Sequence, residues 1–416
     1  MTKIISALKD KIPKIYFLFL YVAGLLLIMS LPYVFKIKNA SLFSVSALFI
    51  YVAVVELLFR VSFRIIFKKP YSYIPKLPFD KMYIEPHPYL PYVYKQNFLS
   101  QKSMPSRYPL HQEKGYSFSA LRSNNRRHIN GPGGDRDIIM PKPEGLIRIN
   151  CLGASTTGNY ICYNGKDYSY PMELEKILKQ AFPDVKIEVN NCGVGGYTSA
   201  EILIKFLLDT IDTKPDIVVI YHAYNDLGSS LTSCYQSDYS HAKKNLGEVY
   251  HLYRLAAKIP EIRLASYNFL MNYCLFSQNI RFSLLETTSR GKIELENDFQ
   301  GLSTYGRNIE HIINVCKVNK IQVILSTFSE HLYLLVQNDE RCLKYHEGVD
   351  LENNVMRNLA VKHNLPLVDN AHLVPKEDKY FVDTVHFTPE GMHLIAENIS
   401  HPIIEYIKTY AECRSC

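Results

Sequence analysis

Five stretches of the chain gather apolar, often β-branched residues into short runs that end in small or polar residues: 146–152, 185–191, 216–222, 320–326 and 365–368. Short apolar runs bounded by turn signals predict strands buried on both faces. Between them, apolar residues recur at helical spacing. Met172, Leu174, Ile177, Leu178 and Ala181 mark a helix over 169–182, and similar patterns mark 201–211, 305–318, 353–363 and 392–407. Strands alternating with amphipathic helices predict an α/β fold, a three-layer α/β/α sandwich around a parallel sheet. Residues 229–300 break the rhythm. Helical patches at 249–259 and 264–276 predict an insertion over the carboxyl edge of the sheet, hence a lid or a substrate-selecting element.

Upstream of the first strand the pattern is different. Residues 15–35 carry no charge, and a bilayer needs about 20 apolar residues to be crossed. Tyr16, Tyr21 and Tyr33 lie at or towards the ends of this run, as interfacial aromatics do. It is too long for the apolar part of a signal peptide and no A-x-A-like site follows, so it reads as an uncleaved anchor. A second run, 42–59, contains Glu56 and is followed by Arg60 and Arg64. It can cross, pair Glu56 with Arg60 one turn on, or lie in the interface; a crossing is the favoured reading. Lysines precede the first run (Lys3, Lys9, Lys11, Lys14), and Arg60, Arg64, Lys68, Lys69 and Lys76 follow the second. If both cross, the positive-inside bias places the catalytic part on the cytoplasmic face; if only the first crosses, that part faces outward. The expected organisation is a membrane segment over 1–69, an irregular Pro- and Tyr-rich connecting region over 70–145, and a catalytic domain over 146–410.

Charge and composition change this picture little. The net charge of +7 is partly the basic flanks of the membrane segment, and a basic face beside an anionic leaflet accounts for it. No helix-turn-helix, zinc-ligand spacing or RNA-binding signature accompanies it, so nucleic acid is not an expected partner. The 9 cysteines form no evident disulfide framework; Cys151 and Cys192 fall in or beside buried strands and read as core thiols. No His/Cys/Asp cluster has metal spacing, and Gly193 to Gly196 lacks the Lys-Ser/Thr of a phosphate-binding loop, so no cofactor is expected.

The candidate chemistry sits where the strands end. The first strand breaks at Gly153 and presents Ser155 in the following turn. The second runs into Asn191-Cys-Gly-Val-Gly-Gly196, and the third into Ala223-Tyr-Asn-Asp226. A terminal loop carries Asp383-Thr-Val-His386. Open parallel sheets place their chemistry at the carboxyl ends of strands. Taken singly, Ser155 is a capping residue, Asn225-Asp226 a turn, Asp383 a turn residue and Thr388-Pro-Glu a helix start. Glu330 and His331 also follow a strand and could line the pocket, while His222, His331 and His372 read as satisfied surface or core residues.

Together the four blocks, in this order and each at a strand end or terminal loop, resemble the SGNH (GDSL-type) hydrolase family over residues 146–407. The resemblance implies a five-stranded flavodoxin-like sheet of order 2-1-3-4-5. It implies that Ser155 is the nucleophile, His386 its general base and Asp383 the carboxylate that holds His386. The backbone N–H groups of Ser155 and Gly196 and the side-chain amide of Asn225 would form the oxyanion hole. The chemistry fits: a serine hydroxyl needs an imidazole to accept its proton, a carboxylate fixes the imidazole tautomer, and Asn225 offers a neutral donor to a developing oxyanion. Two positions depart from the family pattern, Ala154 where it has Asp and Ala223 where it has Gly, which puts local loop geometry in question. The α/β-hydrolase motif G-x-S-x-G is not met, because Thr157 stands in place of its second glycine. The expectation is therefore a membrane-anchored serine esterase that hydrolyses or transfers an O-acyl ester, with a small-molecule, glycan or lipid ester as substrate. A glycan O-acetyltransferase or a lipid-directed esterase would use the same site. A non-catalytic glycan-binding or scaffold protein is the alternative of a different class.

Overall fold

The computed structural model describes residues 40–67, 83–99, 104–105, 115, 117–118, 122–130, 136–158, 161–163, 166–242, 293–332 and 339–415. The chain divides into two units, Met1–Met82 with Val249–Thr287, and Tyr83–Glu248 with Thr288–Cys416.

In the first unit the described element is helix α1 (Ala40–Phe67), which contains the second apolar run. Arg60 Nε donates to Glu56 Oε1 at 2.6 Å, the one-turn pairing that the sequence allowed. Phe49, Ile50, Leu57, Leu58 and Ile65 are exposed along it. Among the described residues, no helix is long and apolar enough to cross a membrane, so the favoured second crossing finds no support there. The first run, 15–35, and the helical patches at 249–259 and 264–276 lie outside the described residues.

The second unit is built on five parallel strands: β1 (Leu146–Gly153), β2 (Lys186–Asn191), β3 (Ile217–Tyr221), β4 (Gln322–Ser326) and β5 (Leu367–Val368). Their spatial order is 2-1-3-4-5, as the family resemblance implied. Both faces are apolar because both are covered; Ile217, Val218, Val219, Ile220 and Tyr221 are all fully buried. One charge lies inside β1. Arg148 is fully buried, and its Nε donates to Glu188 Oε1 at 2.8 Å on the facing residue of β2, so the charge is paired.

Right-handed crossovers then dictate where the helices go. Helix α2 (Tyr170–Ala181) connects β1 to β2 and packs against the closing helix α6 (Pro389–Ser415) on one face. Helices α3 (Ser199–Leu208), α4 (Leu302–Val318) and α5 (Glu340–His363) cover the other. Local chemistry fixes their starts. Ser169 Oγ accepts the Met172 N–H at 3.4 Å, with Pro171 in the first turn of α2. Glu201 accepts from the Thr198 N–H and hydroxyl ahead of α3. Thr388 Oγ1 accepts the Gly391 N–H at 3.1 Å where α6 begins, the cap read from the sequence. Because β1 and β3 are neighbours whose connections leave in opposite directions, the crevice at their carboxyl ends is the topological switch point.

Two features were not anticipated. Helix α5 starts at Glu340, far ahead of residue 353, with Asp339 Oδ1 accepting the Cys342 N–H at 3.0 Å. Its first half is polar and only one narrow face is buried, so its periodicity is faint. The connecting region forms short antiparallel pairs: Ile84–Glu85 with Val93–Tyr94, and Met104–Pro105 with Ser117–Phe118, continued by Ile161–Tyr163 and Lys166–Tyr168.

Candidate active site

The crevice at the switch point gathers three strand ends and one terminal loop. β1 ends at Gly153, and a helical turn, Ser155–Gly158, follows at once. A Cβ at Gly153 would lie 2.1 Å from Thr157 Oγ1 and 2.4 Å from the Tyr221 carbonyl. Only glycine lets the turn fold back so closely over β3.

The terminal loop is fixed by its own carboxylate. Asp383 Oδ1 accepts the N–H groups of Val385 at 2.9 Å and His386 at 2.8 Å. The Val382 N–H donates to the His386 carbonyl at 2.9 Å, and the His331 N–H to the Thr384 carbonyl at 2.8 Å. So held, His386 Nδ1 lies 2.8 Å from Asp383 Oδ2, and its Nε2 lies 3.0 Å from Ser155 Oγ. Burial opposes protonation of His386, but the adjacent Asp383 charge and its hydrogen bond outweigh it, and the imidazole pKa is raised.

The glycine loop after β2 runs beside the serine. A Cβ at Gly195 would sit 3.9 Å from Ser155 Cβ and 4.0 Å from the Tyr94 hydroxyl. Gly196 has φ +79°, a conformation that glycine adopts without strain. Asn225 opens the turn Asn225–Ser230 after β3, and its Nδ2 donates to the Tyr197 carbonyl at 2.8 Å. An amide nitrogen carries two N–H groups, so one anchors Asn225 against the glycine loop and the other remains for a substrate. Asp226 is fully buried and accepts from Ser199 N at 2.8 Å, from Ser199 Oγ at 2.5 Å and from Tyr239 Oη at 2.9 Å. It also lies 2.8 Å from His222 Nε2. Its role is to brace the asparagine turn against the start of α3.

All five residues singled out from the sequence thus converge on one crevice. The two departures from the family pattern do no damage there. Ala154 is buried and its carbonyl accepts the Gly158 N–H at 2.8 Å, while the Ala223 carbonyl accepts the Asn225 N–H at 2.9 Å. His222, His331 and His372 each pair with a carboxylate, of Asp226, Asp378 and Asp369. Among the described residues, no group of three His, Cys, Asp or Glu side chains is placed to hold a metal ion. The buried Glu330 carboxyl binds His346 Nδ1 through Oε1 at 2.5 Å, while its Oε2 has no partner.

Tyrosines of the connecting region were missed. Tyr94 Oη accepts the Gly195 N–H at 3.2 Å, Tyr92 Oη donates to the Gly195 carbonyl at 2.6 Å, and Tyr197 Oη donates to the Tyr92 carbonyl. The one signal available was the density of tyrosine around Pro88 and Pro91, which carries no information on partners a hundred residues away.

Fold and site together define a serine hydrolase built on a flavodoxin-like sheet. The chain belongs to the GDSL-like Lipase/Acylhydrolase family, whose model matches residues 151–394, and it is a GDSL-type serine esterase or acylhydrolase. It is similar to a lipase/acylhydrolase from Enterococcus faecalis at 19% identity, over 62% of this chain and 96% of that one, with a TM-score of 0.38. An acetylxylan esterase from Geobacillus stearothermophilus matches at 16% identity over 61% and 92% of the two chains, with a TM-score of 0.37. A GDSL-like lipase from Bacteroides thetaiotaomicron matches at 18% identity over 62% and 88%, with a TM-score of 0.33. No curated protein sequence matches the chain.

Proposed function

We propose that the protein cleaves an O-acyl ester through an acyl-enzyme on Ser155. The observation that carries this reading is the single imidazole of His386, 3.0 Å from Ser155 Oγ and 2.8 Å from Asp383 Oδ2. His386 Nε2 takes the hydroxyl proton as Ser155 Oγ attacks the ester carbonyl. Asp383 holds the Nδ1–H tautomer and stabilises the imidazolium that forms. The oxyanion is met by the backbone N–H groups of Ser155 and Gly196 and by the Asn225 amide. The imidazolium then returns the proton to the leaving alcohol. Water, activated by the same histidine, releases the acid; a sugar hydroxyl in its place would give transfer. Fluorophosphonate labelling together with turnover of short-chain esters tests the reading. Both should be present in the parent protein and absent in Ser155→Ala; a folded Ser155→Ala protein that still turned over ester would overturn it.

Attachment to a membrane is part of the proposal. Its support is the uncharged run 15–35 and the apolar side chains exposed along α1. A crossing by 42–59 as well would place the catalytic part on the cytoplasmic face. A reporter after Cys416 should then read as cytoplasmic and one at Asn39 as exported; an exported carboxyl-terminal reporter would leave a single crossing.

A further inference from the structure

The turn that carries Asn225 has a backbone that its own sequence does not favour. Tyr224 has φ +74° and ψ −51°, and the Asn225 N–H closes back onto the Ala223 carbonyl at 2.9 Å. This is a γ-turn of positive φ, rare and strained, and a bulky residue at its centre is an outlier. Such a conformation persists only where its surroundings over-determine it.

What over-determines it lies in α5, outside all four motif blocks. Glu352, 1% exposed, accepts the Tyr224 N–H on Oε2 at 2.9 Å. Tyr345 packs its ring against that of Tyr224, with centroids 5.0 Å apart. Between them, a Cβ at Gly348 would lie 2.5 Å from Leu227 Cδ2 and 2.6 Å from Phe299 Cε1. Only glycine lets α5 approach the asparagine turn so closely. Positions 345, 348 and 352 share one helix face, so that face grips the turn by ring, by backbone approach and by hydrogen bond.

We propose that Glu352 is a positioning residue for acyl transfer, which by accepting the Tyr224 N–H holds the γ-turn that aims the Asn225 amide at the oxyanion. The proposal rests on the reading of Asn225 as an oxyanion donor. Burial, with the Asp226 charge close by, pushes the Glu352 carboxyl well up. It is therefore neutral at neutral pH, and a glutamine oxygen can replace it as the acceptor. Without any acceptor, the Tyr224 N–H is left buried and unpaired and the turn relaxes towards ordinary φ.

The test is a double-mutant cycle on the full chain, read as kcat and KM for p-nitrophenyl acetate. Glu352→Gln should stay near the parental kcat. Glu352→Met, of similar volume but with no acceptor, should lose up to roughly 10²-fold in kcat with little change in KM, the scale of a misplaced catalytic group. In an Asn225→Ala background the same change should cost nothing more, because the donor it positions is gone. A merely structural role would instead multiply the two losses. Parental kcat in folded Glu352→Met, equal losses in the Gln and Met variants, or multiplied losses in the double variant would each overturn the proposal. If circular dichroism shows that Glu352→Met is unfolded, Gly348→Ala carries the same cycle by pushing α5 off Leu227. A folded Gly348→Ala protein of parental kcat would overturn the proposal equally. Persistence of turnover in Ser155→Ala would sink the acyl-enzyme reading itself. With the Ser155 and Asn225 arms as expected, failure of the α5 arms sinks only the positioning role.

Discussion

At the scale of single residues, the site depends on the state of one imidazole. His386 must be neutral to accept the Ser155 proton, and the Asp383 charge raises its pKa against the effect of burial. Activity should therefore rise with pH through a midpoint above the ordinary histidine value of about 6.5. A kcat/KM profile with its acid limb below that value would contradict the assignment. Asp383→Asn removes both the charge and the correct tautomer. In a comparable triad that change costs about 10⁴ in kcat while the geometry survives, so loss of turnover with an unchanged thermal melt is expected. Asn225→Ala removes one oxyanion donor and leaves those of Ser155 and Gly196. The loss should be roughly 10²–10³ and should fall on kcat, because the donor serves the developing charge more than the neutral carbonyl. Slow labelling by a fluorophosphonate should persist, since Ser155 and His386 keep their 3.0 Å contact.

At the scale of elements, tight packing at strand ends sets what the sequence can vary. Gly153→Ala would push a Cβ to 2.4 Å from the backbone oxygen of Tyr221, an overpacking that costs roughly 1–3 kcal/mol; chemical denaturation should read it as a lower midpoint. The strand after which Glu330 falls gives a second, pH-dependent effect. Burial, only partly offset by His346, raises the Glu330 carboxyl to about 7. The folded protein then favours the protonated form, so this group's stabilisation is complete below about 4.5 and is lost as pH rises through about 7. Glu330→Gln should flatten the stability profile across that window; an unchanged profile would show that Glu330 does not titrate there. The five strands and the ends that carry Ser155, Gly196 and Asn225 were legible because runs such as Ile217–Tyr221 are apolar throughout and stop at small residues. Helix α5 was legible only in its second half. Tyr345, Gly348 and Glu352 form a buried face that mixes a tyrosine, a glycine and an acid, and no hydrophobic period reveals such a face. The strain at Tyr224 was equally hidden, since nothing in Ala223-Tyr-Asn-Asp226 demands positive φ.

At the scale of the molecule, the catalytic unit begins earlier than the first sheet strand. The stretch from Tyr83 belongs to it, and Tyr92 and Tyr94 clasp Gly195 from both its carbonyl and its N–H. The Pro- and Tyr-rich composition of that stretch gave no hint of this, because the partners lie about a hundred positions downstream. Its consequence is a difference between two truncations. A protein begun at Tyr83 keeps both tyrosines and should retain ester turnover while losing any attachment that residues 15–35 provide. A protein begun at Leu146 also lacks the Asn130 amide that donates to Asn190 Oδ1 at 2.7 Å and the Arg136 guanidinium that pairs with Glu175. It leaves the Gly195 N–H without Tyr94, and an unsatisfied buried donor costs about 1–3 kcal/mol. The glycine loop beside Ser155 should then loosen, so that the shorter protein melts lower and turns over ester more slowly even where it folds. Tyr94→Phe in the full chain isolates one bond of that set. It should lower kcat while leaving membrane association unchanged. Equal kcat for the full chain, the Tyr83 truncation and Tyr94→Phe, together with full activity in the Leu146 truncation, would reduce the connecting region to a spacer.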